Sequence, residues 1–390
     1  MLTDSTKNVA LILQTRMEEN IGILNGIAAY ERENADWNFF LDDQSMSVSN
    51  HAWLFRREWD GVICRHRSSS LLEECVRRGI PCVDLDDSPI LLPGVPKLRP
   101  DNLAVGHVAA EHFIERGFKR FAFCGFGNET WSCERRRGFM EAVQAVGCEC
   151  SVLETIYTQQ LTPDWDIAEQ ERIGAWVKEL EHPLALMACN DLRALQVIAA
   201  VHQVGLSIPD EVAVLGSNNE SVRANLSHPP LSSVPINAAD WGYRAAQALH
   251  GLFDGKPVAA ETFIDPGAVV VRRSTDILAV EDPAIVEALR IIQSEATGPL
   301  RVEDLARRVN LSRSLLERRF RKFLRRSPQE EIRNVKINKA KQLLLDTDMT
   351  LAEIAEAIGF EHPEYLSVMF KRLTSESPRD FRQRYRPKVT

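Results

Sequence analysis

Short apolar runs alternate with longer amphipathic stretches from residue 9 to about residue 273. The runs are rich in β-branched residues, which is typical of buried strands, and the stretches between them have helical periodicity. This alternation predicts a parallel sheet covered by helices on both faces. The predicted strands are 9–14, 37–41, 61–64, 81–85, 121–125, 185–189 and 212–217. The predicted helices are 22–33, 71–78, 103–116, 135–145, 166–180, 191–204 and 238–252.

The rest of the chain has almost no strand pattern and contains an internal repeat. The segment that begins at Val302 matches the one that begins at Leu351 at an offset of 49. The offset becomes 50 for Leu316, Phe320 and Pro328, which match Leu366, Phe370 and Pro378. Each copy has a short helix with a central alanine (Ala306, Ala355), a turn residue (Asn310, Gly359) and a second helix. This pattern predicts two helix-turn-helix units, because the alanine allows close crossing and the turn residue tolerates positive φ. A generic array of helical hairpins is the alternative.

Charge is divided unevenly along the chain. Residues 281–390 carry 22 Lys and Arg against 17 Asp and Glu, a net charge of +5, and the preceding part carries −13. Between residues 301 and 326 there are ten basic and three acidic side chains. The outward residues of the two second helices are predicted as Arg313, Ser314, Glu317, Arg318 and Arg321, and as His362, Glu364, Tyr365, Val368 and Lys371. A basic helix face suits double-stranded DNA, although a merely solvated charged face is the alternative.

Polar side chains follow several predicted strands of the α/β part. Asn190 and Asp191 come after the strand 185–189, and Asn218 comes after 212–217. Trp131 and Arg135 lie at the start of the helix that follows 121–125. Planar donors and acceptors fit vicinal hydroxyls, and an aromatic ring can cover a sugar face, so these residues predict a pocket for a small polyol or sugar. Helix capping by the Asn and Asp residues and a surface ion pair of Arg135 are the alternatives.

Catalytic and metal-binding motifs are missing from the sequence. It contains no GxxxxGK[ST], HExxH or GxSxG motif. All eight cysteines lie in the first half, without a CxxC pair or zinc-ligand spacing. We therefore expect no enzymatic activity, no cofactor and no metal site. The start of the chain lacks signal-peptide character and no apolar run could span a bilayer, so we expect a cytoplasmic protein without a membrane partner.

Two family resemblances extend these predictions. Residues 286–390, with Ile354-Ala-Glu-Ala-Ile-Gly-Phe and Ser377-Pro-Arg-Asp-Phe-Arg, resemble the DNA-binding domain of the AraC family. Residues 1–274 resemble the sensor domain of LacI-family regulators, through Asp101-Asn102, Arg135-x-x-Gly138-Phe139 and Asn190-Asp191-x-x-Ala194. The resemblance implies a two-lobed α/β domain like the periplasmic binding proteins, followed by an all-α double helix-turn-helix domain. It adds Asp101 to the effector-binding residues, and it implies lobe crossings near 116–120, 232–235 and 257–262.

The combination of the two domains, joined by a linker at 275–285, resembles the bacterial xylose-operon regulators. This resemblance implies a homodimer that binds D-xylose and activates promoters of pentose catabolism, with RNA polymerase as a further candidate partner. Three alternatives remain open at this stage. The effector is another sugar, the sensor domain has lost its ligand and serves only to dimerise, or the chain is a sugar-modifying enzyme.

Overall fold

A computed structural model describes residues 6–43, 54–65, 69–158, 162–277, 282–298, 300–324, 326–360, 362–374 and 376–385. The chain divides into two compact units. The first consists of Met1–His112 and Arg120–Asp276, and the second of Phe113–Lys119 and Ile277–Thr390.

The first unit contains two parallel sheets, one in each lobe. The sheet of lobe 1 has the strand order β11-β5-β4-β3-β1-β2, and that of lobe 2 has the order β10-β9-β8-β6-β7. Lobe 1 contains β1 (Lys7–Ile12), β2 (Trp37–Asp42), β3 (Gly61–Cys64), β4 (Cys82–Asp84), β5 (Lys97–Pro100) and β11 (Glu261–Ile264). Lobe 2 contains β6 (Phe121–Phe126), β7 (Cys150–Thr155), β8 (Leu184–Ala188), β9 (Val212–Asn218) and β10 (Ser232–Pro235).

Helices cover both faces of each sheet, as the sequence pattern predicts. Alternate residues of β1 enter opposite cores: Val9 and Leu11 pack with Trp241, whereas Ala10 and Ile12 pack with Leu71. The helices of lobe 1 are α1 (Glu18–Asn34), α2 (Ser69–Arg77) and α8 (Ala238–Phe253). Those of lobe 2 are α3 (Asn102–Glu115), α4 (Thr130–Ala145), α5 (Pro163–Glu179), α6 (Asp191–Gln203) and α7 (Ser221–Leu226).

The chain crosses between the lobes at positions that differ from two of the predicted ones. The first segment of the chain in lobe 1 ends with strand β5 at Pro100. The next helix, α3, packs on α4 of lobe 2 through Gly106 and Gly138. A Cβ at Gly106 would lie 2.2 Å from the Arg135 carbonyl oxygen, so the crossing precedes α3 and does not follow it at 116–120. The last crossing follows β11, not 257–262, because this strand still pairs with β5. The middle crossing follows β10, close to its predicted place.

The end of the first unit is a buried turn, Arg273–Thr275. Ser274 donates its hydroxyl to the Val214 carbonyl (2.6 Å), and Thr275 donates to Ser232 Oγ (2.7 Å). The turn therefore belongs to the packing of lobe 2, although the linker prediction begins at Thr275. Residues 278–281 of that predicted linker lie outside the described residues.

The second unit is helical throughout its described residues. Its helices are α9 (Pro283–Glu295), α10 (Val302–Arg308), α11 (Arg313–Leu324), α12 (Pro328–Asp346), α13 (Leu351–Ala357), α14 (Pro363–Thr374) and α15 (Pro378–Tyr385). Capping boxes start two of them, Ser327 with Glu330 at α12 and Thr350 with Glu353 at α13. These caps satisfy backbone N–H groups that the first turn leaves without partners.

Candidate functional site

Arg135 organises the lobe 2 side of the cleft between the two lobes. Its buried guanidinium donates from Nε to Asn102 Oδ1 (2.9 Å) and from Nη1 to the Cys189 carbonyl (2.7 Å) and Asn218 Oδ1 (3.1 Å). The same guanidinium lies 5.2 Å from the centre of the Trp131 ring. Three residues that the sequence predicts for the pocket, Trp131, Arg135 and Asn218, therefore meet at one place.

Arg65, directly after β3, has the corresponding role on the lobe 1 side. Its Nη1 donates to Glu19 Oε2 (2.6 Å) and to Asn20 Oδ1 (2.7 Å), and its Nη2 donates to Asp87 Oδ2 (3.1 Å). The guanidinium lies 4.7 Å from the centre of the Trp241 ring. Burial lowers the pKa of Arg65, but Glu19 and Asp87 outweigh it and raise the pKa above its usual value, so Arg65 is charged.

Asp87 has one carboxylate oxygen without a partner. Oδ2 accepts from Arg65, whereas the buried Oδ1 has no hydrogen bond among the described residues. Burial raises the pKa of Asp87, and Arg65 and Arg135 oppose this rise. Because Arg135 belongs to the other lobe, its effect on Asp87 places the two halves of the cleft within electrostatic reach of each other. A buried, unpaired acceptor is costly unless a donor binds to it, and a ligand hydroxyl is such a donor.

The turn that carries Asp87 is held by a buried lysine. Lys97 Nζ forms an ion pair with Asp84 Oδ2 (2.9 Å) and donates to the carbonyl (2.8 Å) and the hydroxyl (3.2 Å) of Ser88. The Asp84 carboxylate also accepts from the Asp86 backbone N–H (2.9 Å). These contacts fix the chain on both sides of Asp87.

Asp191 lies beneath the cleft and orders the turn after β9. It is fully buried, and its oxygens accept from the Ser233 hydroxyl (2.6 Å) and the Glu220 backbone N–H (2.7 Å). Burial raises the pKa of Asp191 to about 7. With both oxygens engaged inside the protein, Asp191 supports the strand end that presents Asn218.

Two other predicted pocket residues cap helices. Asn190 Oδ1 accepts from the Arg193 N–H at the start of α6 (2.8 Å), and Asp101 Oδ1 accepts from the Ala104 N–H at the start of α3 (2.9 Å). The capping alternative therefore accounts for these side chains as the structure has them. The neighbour of Asp101, Asn102, is the residue that contacts Arg135.

Asn218 and Asn219 end β9 in an unusual backbone conformation, with φ of 100° and 55°. Positive φ is uncommon for residues other than glycine and is concentrated at functional sites. Asn219 accepts from Arg272 Nη1 (2.9 Å), and its N–H donates to Ser233 Oγ (3.0 Å). The strained turn thus directs Asn218 towards Arg135 and ties the same strand end to the segment that leaves the first unit.

A direct hydrogen bond joins the lobes beside this site. Glu18, in the first turn of α1, accepts from the Ser221 N–H at the start of α7 (2.8 Å). A carboxylate at a helix start is favourable because the N–H groups there lack partners. This contact stabilises the arrangement of the two lobes that the structure has.

The helix-turn-helix geometry of the second unit agrees with the repeat. Ala306 and Ala355 are buried at the helix crossings, and Asn310 and Gly359 have φ of 55° and 70°. A Cβ at Gly359 would also lie 2.2 Å from the Thr297 carbonyl oxygen, so this turn needs glycine for space as well as for conformation.

The outer face of α11 combines free and paired cations. Arg318 and Arg321 are exposed, and neither forms an ion pair within the described part of the chain. Arg313 instead binds the carboxylates of Glu303 and Glu317. Ser314 is exposed, as predicted.

Four further arginines between residues 301 and 326 form ion pairs within the second unit. The pairs are Arg307 with Asp304, Arg308 with Glu295 (2.6 Å), Arg319 with Asp282 (2.8 Å) and Arg326 with Glu331. Arg319 contacts the residue that caps α9, so it has a structural task. The density of basic residues in the sequence therefore overstates the positive charge available to a polyanion.

The outer face of α14 is less basic. His362, Glu364, Tyr365, Val368 and Lys371 are all exposed, as predicted. Tyr365 and Val368 form an apolar pair one helical turn apart.

Metal-binding clusters and membrane-spanning helices are absent from the described ranges. No cluster of three or more His, Cys, Asp or Glu side chains there could hold a metal ion. None of the described helices is long and apolar enough to cross a membrane.

Comparison with known proteins supports both units. Residues 110–275 match the model of the periplasmic binding protein-like domain, and residues 305–384 match that of a helix-turn-helix domain. The xylose operon regulatory protein of Haemophilus influenzae is 28% identical over 389 residues, which cover 98% of this chain and 99% of that protein. Its counterpart from Escherichia coli strain K12 is 27% identical over 384 residues, or 96% of each chain. The chain resembles the xylose operon regulatory proteins over nearly its whole length, and it is a DNA-binding transcription regulator.

A solved structure of a xylose-binding transcription activator supports the same assignment. It aligns with this regulator over 99% of this chain and 100% of its own, with a TM-score of 0.62 and 26% identity. The predicted fold class is confirmed, and so is the prediction of a DNA-binding, sugar-sensing regulator in place of an enzyme.

The lobe 1 half of the site in this regulator was not predicted from the sequence. Glu19, Asn20, Arg65 and Asp87 were not among the predicted residues. The position of Arg65 directly after β3 and of Asp87 three residues after β4 was a usable signal. Ligands of such folds bind beyond the carboxyl ends of the strands, and this rule applies to both lobes.

Proposed function

We propose that the effector is D-xylose or a closely related neutral pentose, bound between the lobes by Arg65 and Asp87 on one side and Arg135 and Asn218 on the other. The unpartnered buried oxygen of Asp87 is the observation that carries this proposal. The xylose-binding activator and the xylose operon regulatory proteins, which match nearly the whole chain, support the choice of sugar.

The balance of charge favours a neutral ligand. The two arginines face two carboxylates, Glu19 and Asp87, which pair with Arg65 and stabilise the positive charge of Arg135 across the cleft. A phosphorylated sugar would add negative charge to a site in which two arginines and two carboxylates already balance. A neutral polyol instead supplies hydroxyls that donate to Asp87 and accept from Arg135.

Calorimetry on the full chain tests the site. We expect D-xylose to bind, and Asp87→Asn to weaken binding about 10- to 100-fold, the effect of losing a hydrogen bond to a charged group. Asp86→Asn is the matched control, because this neighbouring carboxylate contacts neither arginine. Equal affinity of the wild type and Asp87→Asn would remove Asp87 from the site. If only another sugar binds, that sugar takes the place of xylose as the proposed effector. If no sugar binds, the first unit serves only for dimerisation.

We further propose that α11 and α14 enter two successive major grooves of double-stranded promoter DNA. The free cations of α11 and the exposed face of α14 support this role. A homodimer formed through the first unit would place two such domains on tandem half-sites and activate transcription through RNA polymerase, in the cytoplasm where the promoters are. Electrophoretic mobility shifts with the full chain test the binding of promoter DNA.

A further inference from the structure

The two predicted recognition helices carry chemically opposite side chains at one equivalent outward position. Leu316 matches Leu366 and Phe320 matches Phe370 at an offset of 50, and all four side chains are fully buried. Because these pairs point into equivalent cores, the residues between them also occupy equivalent places. Arg318 of α11 therefore corresponds to Val368 of α14.

Val368 is presented to the outside although it is apolar. Its side chain is 67% exposed, and Tyr365, one turn earlier, is 51% exposed. The Tyr365 ring lies 5.6 Å from that of Phe360, which Lys336 Nζ covers at 5.0 Å. The ring of Tyr365 is thus supported beside Val368, and together they form a small apolar surface.

Both helices carry positively charged side chains at the equivalent positions beside this surface. At the offset of 50, Arg321 corresponds to Lys371 and Lys322 to Arg372, and all four are exposed. Cations at these places can contact phosphates in either groove. Both helices therefore carry cations that can contact the DNA backbone, but the side chains that face the bases differ, with Arg318 in one helix and Val368 in the other.

We propose that Val368, with Tyr365, recognises thymine methyl groups in the second major groove, whereas Arg318 recognises guanine in the first major groove. Thymine presents a methyl group in the major groove, and apolar side chains contact it, whereas arginine pairs with the O6 and N7 acceptors of guanine. Each half-site then has a guanine contact in one groove and a thymine contact about one helical turn, or roughly 10 base pairs, away. This inference rests on the proposed binding of DNA through both helices.

Replacing thymine by uracil in the operator tests the proposal. The operator is first selected from random duplexes with the full chain, and each thymine is then changed to uracil, which removes the methyl group and keeps every hydrogen-bonding group. At one or two positions of the second groove we expect about a fourfold loss of affinity per methyl, the equivalent of one buried methyl group. In Val368→Ala the same uracil should cost nothing further.

Two control variants sharpen this comparison. Val368→Thr keeps one methyl group and should retain part of the sensitivity to uracil. Val222→Ala removes the same atoms from a valine of the first unit that is 64% exposed, and it should leave the sensitivity unchanged.

The converse substitution gives a second readout. Val368→Arg should move the base preference at the affected position from thymine towards guanine in a repeated selection. The inference would be overturned, with DNA binding intact, by either of two results. In one, uracil at no position of the second groove changes the affinity of the wild type. In the other, uracil lowers the affinity of Val368→Ala as much as that of the wild type. A selection that enriches no sequence would overturn the proposed DNA binding and this inference with it.

Discussion

Arg65 and Arg135 are matching features of the two lobes. Each is a buried arginine beside a tryptophan ring, at 4.7 Å from Trp241 and 5.2 Å from Trp131. Arg65 is held by carboxylates and Arg135 by neutral carbonyl oxygens. Burial lowers the pKa of Arg135, and the carboxylates across the cleft oppose this. At the residue scale the site is a pair of fixed cations around the acceptor of Asp87.

The pH dependence of stability should depend on Asp191. Burial raises its pKa to about 7 in the folded protein, whereas the unfolded value is about 3.9. Between these values the folded state binds the extra proton, so this group makes folding less favourable as the pH rises from about 4 to about 7. Asp191→Asn should remove that contribution, so that the first unit loses less stability between about pH 5 and about pH 8.

Urea denaturation followed by tryptophan fluorescence measures this effect in the full chain. All seven tryptophans precede residue 276, so the signal comes from the first unit. If the stability difference between wild type and variant were the same at both pH values, the elevated pKa would be contradicted.

At the scale of elements, the turn between α13 and α14 depends on Gly359. Gly359→Ala should destabilise the second unit by about 1 to 2 kcal/mol from the positive φ alone, with a further loss from overlap with the Thr297 carbonyl. Asn310→Gly, at the equivalent turn, keeps positive φ accessible and should leave stability nearly unchanged. Helix melting by circular dichroism distinguishes the two variants, and equal melting temperatures would contradict the close approach at Gly359.

The arginines of α10 and α11 should differ in their effect on salt dependence. Arg321 has no ion pair among the described residues, whereas Arg307 is bound to Asp304. Arg321→Ala should lower the slope of log affinity against log salt by about 0.9, the share of one phosphate contact. Arg307→Ala should change it less. Fluorescence anisotropy over a series of salt concentrations gives both slopes, and equal changes would show that the ion pair opens on DNA.

At the scale of the whole molecule, any coupling between sugar binding and DNA binding must be reciprocal, so each ligand tightens the binding of the other by the same factor. A dimer formed through the first unit would let sugar act on the spacing of two DNA-binding domains. We expect sugar to raise affinity for a two-half-site operator by about 5- to 150-fold and to leave a single half-site nearly unaffected. Arg135→Ala should remove the enhancement.

Titrations of both DNAs, with and without sugar, decide between two routes of coupling. An equal enhancement on the single half-site would place the effect within one subunit. The absence of enhancement on either DNA would separate the sensor from DNA binding.

The sequence alone determined the alternation of strands and helices, the repeat in the second unit and the outward faces of α11 and α14. These features follow from periodic burial along short stretches, which a local pattern records directly. Positive φ at Asn310 and Gly359 was also predictable, because the tight turn between the two helices of a helix-turn-helix unit requires it.

Only the tertiary structure decided which polar residues act together. Strand β5 was not predicted because Lys97, Arg99 and Pro100 do not resemble a buried strand, yet Lys97 is neutralised by Asp84, and Arg99 by Glu134 and by Glu261, 162 residues away. The partners of Arg65 and Arg313 likewise come from other elements. A side chain's charge is visible in the sequence, but whether a partner cancels it depends on contacts that no local pattern contains.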